Sequence, residues 1–127
     1  MERRRIRVLL LDDHQIVREG IRASLREQEQ IDIVGEAANG KAALQKIKEL
    51  VPEVVLMDLN MPIMGGIEAT KLTSERFPKT KVIAFTVHDS DEYILEILGS
   101  GAKGYVLKNT SPEHLMVAIK SVAEGNA

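Results

Sequence analysis

The hydrophobic pattern of this chain switches repeatedly between two periods, and that alternation restricts the fold more than any other feature. Short β-branched or apolar runs occupy Ile6–Leu11, Ile31–Ala37, Val54–Met57, Lys81–Thr86 and Gly104–Leu107. Longer segments with helical spacing lie between them. Val17, Ile21 and Leu25 recur every fourth residue in the first, and Ala43, Ile47 and Leu50 form the stripe of the second. Leu115, Ala118, Ile119 and Val122 form the stripe of the last. The third helix has the weakest period; it is placed over 66–77 and ended by Pro78.

Helix punctuation agrees with the spacing. Ser111 is an N-cap with Pro112 at the first helical position. Asp89 and Glu92 resemble a capping box for the fourth helix, and Gly99 and Gly101 suit its end. Alternating strands and helices predict an α/β fold: a doubly wound, five-stranded parallel sheet flanked by five helices. Strands 1, 3 and 4 read as continuous apolar runs, as strands buried on both faces do.

A chain of 127 residues has room for one core, so residues 1–127 are read as one domain. Its 44% apolar and 28% charged residues are ordinary for a soluble globular protein. A net charge of -2 offers no basic field for nucleic acid. The absence of cysteine excludes disulfides and thiolate metal sites. No apolar run approaches the ~20 residues of a membrane span. A cytoplasmic location is expected.

Function is read from the strand ends. Strand 1 ends in Asp12-Asp13, strand 3 in Asp58, strand 4 in Thr86, and strand 5 is followed by Lys108. Parallel strands end along one sheet edge, where ligands bind in such folds. Three carboxylates gathered there repel by ~4 kcal/mol per pair at about 4 Å and an effective dielectric near 20. A hard cation with oxygen ligands relieves this, so Mg²⁺ is expected, with Mn²⁺ the alternative. A carboxylate beside a cation, an ammonium and a hydroxyl can accept a phosphoryl group: Asp58 is the nucleophile, and Thr86 and Lys108 contact the phosphate.

Four segments carry a family resemblance. They are Val-Leu-Leu-Leu-Asp-Asp-His at 8–14, Val-Val-Leu-Met-Asp-Leu-Asn-Met-Pro-Ile-Met-Gly-Gly at 54–66, Ala-Phe-Thr at 84–86 and Gly-Ala-Lys-Gly-Tyr-Val-Leu-Lys at 101–108. Individually weak, in this order and spacing they resemble the signatures of bacterial two-component response-regulator receiver domains. The resemblance implies a flavodoxin-like sheet of order 2-1-3-4-5. It makes Asp58 the phosphoacceptor, charged by a sensor histidine kinase, and Asp12 and Asp13 the acidic pair that positions Mg²⁺. Asn60 supplies a backbone carbonyl to the metal. Thr86 is the switch hydroxyl, Tyr105 the aromatic that turns inward with it, and Lys108 the lysine that pairs with the phosphoryl group.

The segments at 12–14, 108–112 and 118–125 resemble the NarL/FixJ subfamily. Its members continue into a C-terminal helix-turn-helix domain. The resemblance therefore implies the regulatory part of a longer transcription factor that dimerises on phosphorylation, with DNA bound only through that further domain. No membrane partner is expected. Such a domain is not an enzyme on a separate substrate; it catalyses only its own phosphorylation and dephosphorylation. Asn109 follows Lys108 where many members carry proline, so the low cost of a cis bond is absent there.

Each residue also has a plainer reading. Asp13 alone is a helix cap, Asp58 a turn former, Thr86 a strand residue, Lys108 a solvated cation and Tyr105 a core aromatic. Their coincidence at four strand ends favours the site. His14, His88 and His114 share no metal spacing and read as solvated or structural, with a water-gating role for His88 beside Thr86. Tyr93, Ile94, Leu95, Ile97 and Leu98 cover more than one helix face; the plain reading is close packing against neighbours, and the sharper one a signalling or dimer surface. Three rivals are weaker. An aspartyl-phosphate phosphatase of the haloacid dehalogenase class needs Asp-x-Asp on its first strand. A flavin carrier needs a phosphate loop where the acidic pair stands. A degenerate receiver lacks the acceptor or the lysine, and both are present.

Overall fold

The computed structural model describes residues 5–59, 63–87 and 90–125. Five strands, β1 (Ile6–Leu11), β2 (Ile31–Ala37), β3 (Val54–Met57), β4 (Lys81–Thr86) and β5 (Gly104–Leu107), alternate with five helices. The helices are α1 (Gln15–Leu25), α2 (Gly40–Leu50), α3 (Gly66–Arg76), α4 (Asp91–Gly99) and α5 (Pro112–Ala123). All strand pairs are parallel, in the order β2-β1-β3-β4-β5.

The central strands are largely apolar because both faces are covered. Val8, Leu10, Val54, Leu56, Ile83 and Phe85 pack with Ile21 and Leu25 of α1 and Leu115, Ile119 and Val122 of α5. The alternate residues Leu9, Leu11, Val55, Met57 and Val82 pack with Ala43 and Ile47 of α2 and Ala69 of α3. Ala84 joins Ile97 of α4 in a smaller cluster with Leu59 and Ala102. Period-two side-chain alternation thus assigns α1 and α5 to one face and the other helices to the opposite one.

The weak period of α3 has a structural reason. Its buried face is made of Gly66, Ala69, Thr70 and Thr73 rather than large apolar residues. Thr73 Oγ1 donates to the Ala69 carbonyl at 2.7 Å, and Thr70 Oγ1 donates to Met57 Sδ at 3.3 Å, so both buried hydroxyls are satisfied. The helix ends at Arg76 with Phe77 as its C-cap, one residue short of the expected end. At α4 the cap is Ser90, whose Oγ accepts from Tyr93 N at 3.3 Å; Asp89, the expected cap, lies outside the described residues. Ser111 and Pro112 start α5 as expected.

The strand pairing contains one irregularity with consequences. β2 runs in register with β1 as Ile6↔Ile31 and Val8↔Ile33, then shifts so that Leu9 faces Gly35 and Leu10 faces Glu36. An extra residue in a strand inverts the faces beyond it. Ile31 and Ile33 lie in the α1–α5 core. Simple alternation would send Glu36 to the α2 face; the bulge returns it to the α1 face and sends Ala37 into the α2 core.

Candidate functional site

The C-terminal ends of β1, β3, β4 and β5 converge on one acidic pocket. Asp12 and Asp58 follow β1 and β3 directly and are only 2% and 3% exposed. Backbone bonds hold both: Asp12 N donates to the Ala37 carbonyl at 3.1 Å, and Asp58 N donates to the Leu11 carbonyl at 2.8 Å. Behind Asp58, a Cβ on Gly66 would lie 2.5 Å from the Asp58 carbonyl oxygen, so only glycine allows α3 to start so close to β3.

Lys108 reaches into the pocket from beyond β5. Its Nζ stands 2.9 Å from Asp12 Oδ2 and 3.3 Å from Asp58 Oδ1. Its backbone N donates to the Thr86 carbonyl at 2.8 Å, which ties the end of β4 to the lysine. Burial disfavours the ammonium, but the Asp12 hydrogen bond and the charges of Asp58 and Asp12 outweigh it. The Lys108 pKa lies above the ordinary lysine value. One permanent cation therefore serves two buried carboxylates.

Thr86 ends β4 and is buried. Tyr105, on β5, is half-buried and packs against the cluster of Leu59, Ala84, Ile97 and Ala102. Tyr93 of α4 is close enough to feel the pocket: burial first, then the charges of Glu96 and Asp58, raise its phenol above the ordinary tyrosine value. Among the described residues no peptide is cis, so the Lys108–Asn109 bond is trans. Asn60 and His88, both assigned roles in the sequence, lie outside the described residues.

The structure adds residues that the sequence reading left aside. His14 Nδ1 sits 3.1 Å from Asp12 Oδ1 and 3.1 Å from Asp13 Oδ1, although its side chain is largely exposed. Ligand atoms of Asp12, Asp13, His14 and Asp58 all lie within 4.8 Å of one another. Three carboxylates with one ammonium leave unbalanced negative charge, so this donor set fits a hard divalent cation. Adjacency to the acidic pair was the available signal for His14. Arg18 and Glu36 were also missed: Arg18 donates through one terminal nitrogen to the Asp12 main-chain carbonyl and through Nε to Glu36 Oε1 at 2.9 Å. No pairwise sequence pattern announces a contact made across a bulge.

Comparison with known proteins gives one family. The description "response regulator receiver domain" matches residues 8–120. The chain is 42% identical to the oxygen regulatory protein NreC of Staphylococcus haemolyticus over 94% of its own length and 56% of the relative's. It is 37% identical to the transcriptional regulatory protein DegU of Brevibacillus brevis over 97% of its length and 52% of the relative's. The chain thus spans about half the length of the curated relatives it matches. Its fold superposes on the signal receiver domain of the putative response regulator NarL from Mycobacterium tuberculosis with a TM-score of 0.93 at 32% identity, covering 97% of this chain and 99% of that one. A LuxR-family two-component response regulator from Aurantimonas sp. SI85-9A1 gives 0.91 at 36% identity, over 96% and 87% of the two chains.

Proposed function

The chain belongs to the response regulator receiver domain family, and from that premise we propose that it is a phosphorylation-dependent switch whose Asp58 accepts a phosphoryl group from a sensor histidine kinase. The observation that carries this reading is Lys108 Nζ set between Asp12 Oδ2 and Asp58 Oδ1 in a buried acidic pocket. An Asp58 carboxylate oxygen attacks phosphorus, and the bond to the donor's leaving group breaks as the acyl phosphate forms. Lys108 neutralises charge on the transferring oxygens, and the Thr86 hydroxyl donates to one of them. Asp12, Asp13 and Asp58, with the Asn60 carbonyl, would hold Mg²⁺ or Mn²⁺, which supplies further charge neutralisation.

The added charge then biases Thr86 and Tyr105, and with them the surface of α4, β5 and α5. Leu95 and Leu98 of α4 are 70% and 44% exposed, so this helix offers an apolar surface that a second copy could cover. Homodimerisation through this face is the proposed consequence. The chain spans about half the length of these relatives, and the NarL/FixJ resemblance assigns to the longer protein a C-terminal helix-turn-helix domain that would bind DNA. The location is cytoplasmic, where a sensor kinase would reach it; no described helix is long and apolar enough to cross a membrane. The protein acts catalytically only on its own Asp58.

Intact-mass measurement after incubation with acetyl phosphate tests the proposal. A gain of one phosphoryl group that needs Mg²⁺ and is lost in Asp58→Ala is expected. No gain under any condition would leave the degenerate binding module as the better reading.

A further inference from the structure

Every polar atom of Asp12 has a partner. Its N donates to the Ala37 carbonyl, its Oδ1 accepts from His14 N at 2.9 Å, and its Oδ2 accepts from Lys108 Nζ at 2.9 Å. The main-chain carbonyl accepts from a terminal nitrogen of Arg18, on the first turn of α1. Arg18 is held in turn. Its Nε donates to Glu36 Oε1 at 2.9 Å, while Glu36 Oε2 accepts from Arg22 Nε at 3.1 Å and from its terminal nitrogen at 2.6 Å. The Arg18 side chain is only 16% exposed.

A planar guanidinium holds its acceptors in the fixed directions of a rigid fork, whereas the donors of an ammonium turn freely about a single nitrogen. Glu36 reaches Arg18 only because the bulge in β2 returns it to the α1 face. A carboxylate on the edge strand, an arginine on α1 and the backbone of the pocket's most buried aspartate therefore form one chain of contacts.

We propose that Arg18 is a positioning residue: clamped by Glu36, it fixes the Asp12 main-chain carbonyl, and thereby sets the aim of the Asp12 carboxylate and the affinity of the pocket for a divalent cation. This rests on the receiver reading of the pocket. The competing account is an ordinary ion pair that ties α1 to β2 and does nothing for the pocket. Arg22 separates the two, because it shares Glu36 and its hydrogen bonds go there rather than to Asp12. The sign of the effect separates a third account. Deleting a positive charge near the pocket would by itself tighten cation binding, whereas deleting a positioning contact weakens it.

The experiment is Mg²⁺ titration by calorimetry on the wild type, Arg18→Ala and Arg22→Ala, each checked for folding by thermal melting. Arg18→Ala is expected to raise the Mg²⁺ Kd about tenfold, the scale of losses when a group supporting a metal ligand is removed. Arg22→Ala should stay within about twofold of wild type, since it leaves the Asp12 contact intact. Phosphorylation of Arg18→Ala by acetyl phosphate should be slow at low Mg²⁺ and recover at saturating Mg²⁺, which a general loss of stability would not produce. An unchanged or lower Kd in Arg18→Ala, or an equal rise in Arg22→Ala, overturns the proposal. If Arg18→Ala does not fold, Arg18→Lys decides: it keeps the charge but not the two-acceptor fork, so a raised Kd supports the proposal and an unchanged one overturns it. Wild-type protein that binds no Mg²⁺ at all would overturn the receiver reading itself, before any variant is considered.

Discussion

Lys108 Nζ lies 3.3 Å from Asp58 Oδ1, although the two residues come from the ends of different strands. The same nitrogen is 2.9 Å from Asp12 Oδ2, so removing it takes away the ammonium that two buried carboxylates share. Breaking a buried pair from one side is costly. Lys108→Met is expected to lose about 2–3 kcal/mol of stability in Mg²⁺-free buffer. Asp58→Asn should gain about 1 kcal/mol, because it relieves repulsion in the pocket while Lys108 keeps Asp12. Urea unfolding of both variants beside wild type checks the opposite signs, and Asp58→Asn should gain no phosphoryl mass.

Cation binding should appear as stability. At a hundredfold its Kd, Mg²⁺ is expected to stabilise the wild type by about 2.7 kcal/mol, a Tm rise of several degrees. Asp12→Asn should lose most of that rise. A melting curve with and without Mg²⁺ reads it directly, and an equal rise in the variant would place the cation elsewhere.

Glu36 links stability to pH. Burial opposes its charge, but hydrogen bonds and charges from Arg22 and Arg18 outweigh that and hold its pKa below the ordinary carboxyl value of 4.5. A lowered folded-state pKa contributes stability above the unfolded value, and the contribution is lost as pH falls through the folded one. At pH 7 Glu36→Gln should therefore be less stable than wild type, by on the order of 1 kcal/mol. The difference should shrink as the pH is taken below about 4.5. Urea midpoints across that range check the convergence.

Two β-branched residues sit in the left-handed region: Ile63 at φ 68 and Val51 at φ 46, both well exposed. Val51 closes α2 as its C-cap, a position that favours glycine or asparagine. A left-handed conformation costs such side chains about 1–2 kcal/mol. Val51→Asn and Ile63→Asn should each raise stability by about 0.5–1 kcal/mol, seen as a higher Tm.

Leu95 projects from α4 with 70% of its surface exposed. Leu95→Glu should leave monomer stability within about 0.5 kcal/mol of wild type. It should also weaken association of the phosphorylated protein in sedimentation velocity. Unchanged association would remove this face from the proposed dimer.

The central strands β1, β3 and β4 were legible because burial on two faces writes itself as short apolar runs, and the runs at Ile6–Leu11 and Val54–Met57 have the bounds seen in the structure. The meeting of Asp12, Asp58 and Lys108 was legible from topology: parallel strands end on one edge, so polar residues at those ends come together. The third helix was blurred because its buried face consists of glycine, alanine and threonines whose hydroxyls are satisfied locally. What only the tertiary structure decided was the support behind the pocket. Alternation along β2 would carry Glu36 away from α1, and only the bulge opposite Val8 and Leu9 returns it to Arg18. Sequence determines local period and strand ends, because those follow from burial along one segment. A register shift depends on how two segments pair, and it is this pairing that brings Glu36, Arg18 and Asp12 into one line of contacts.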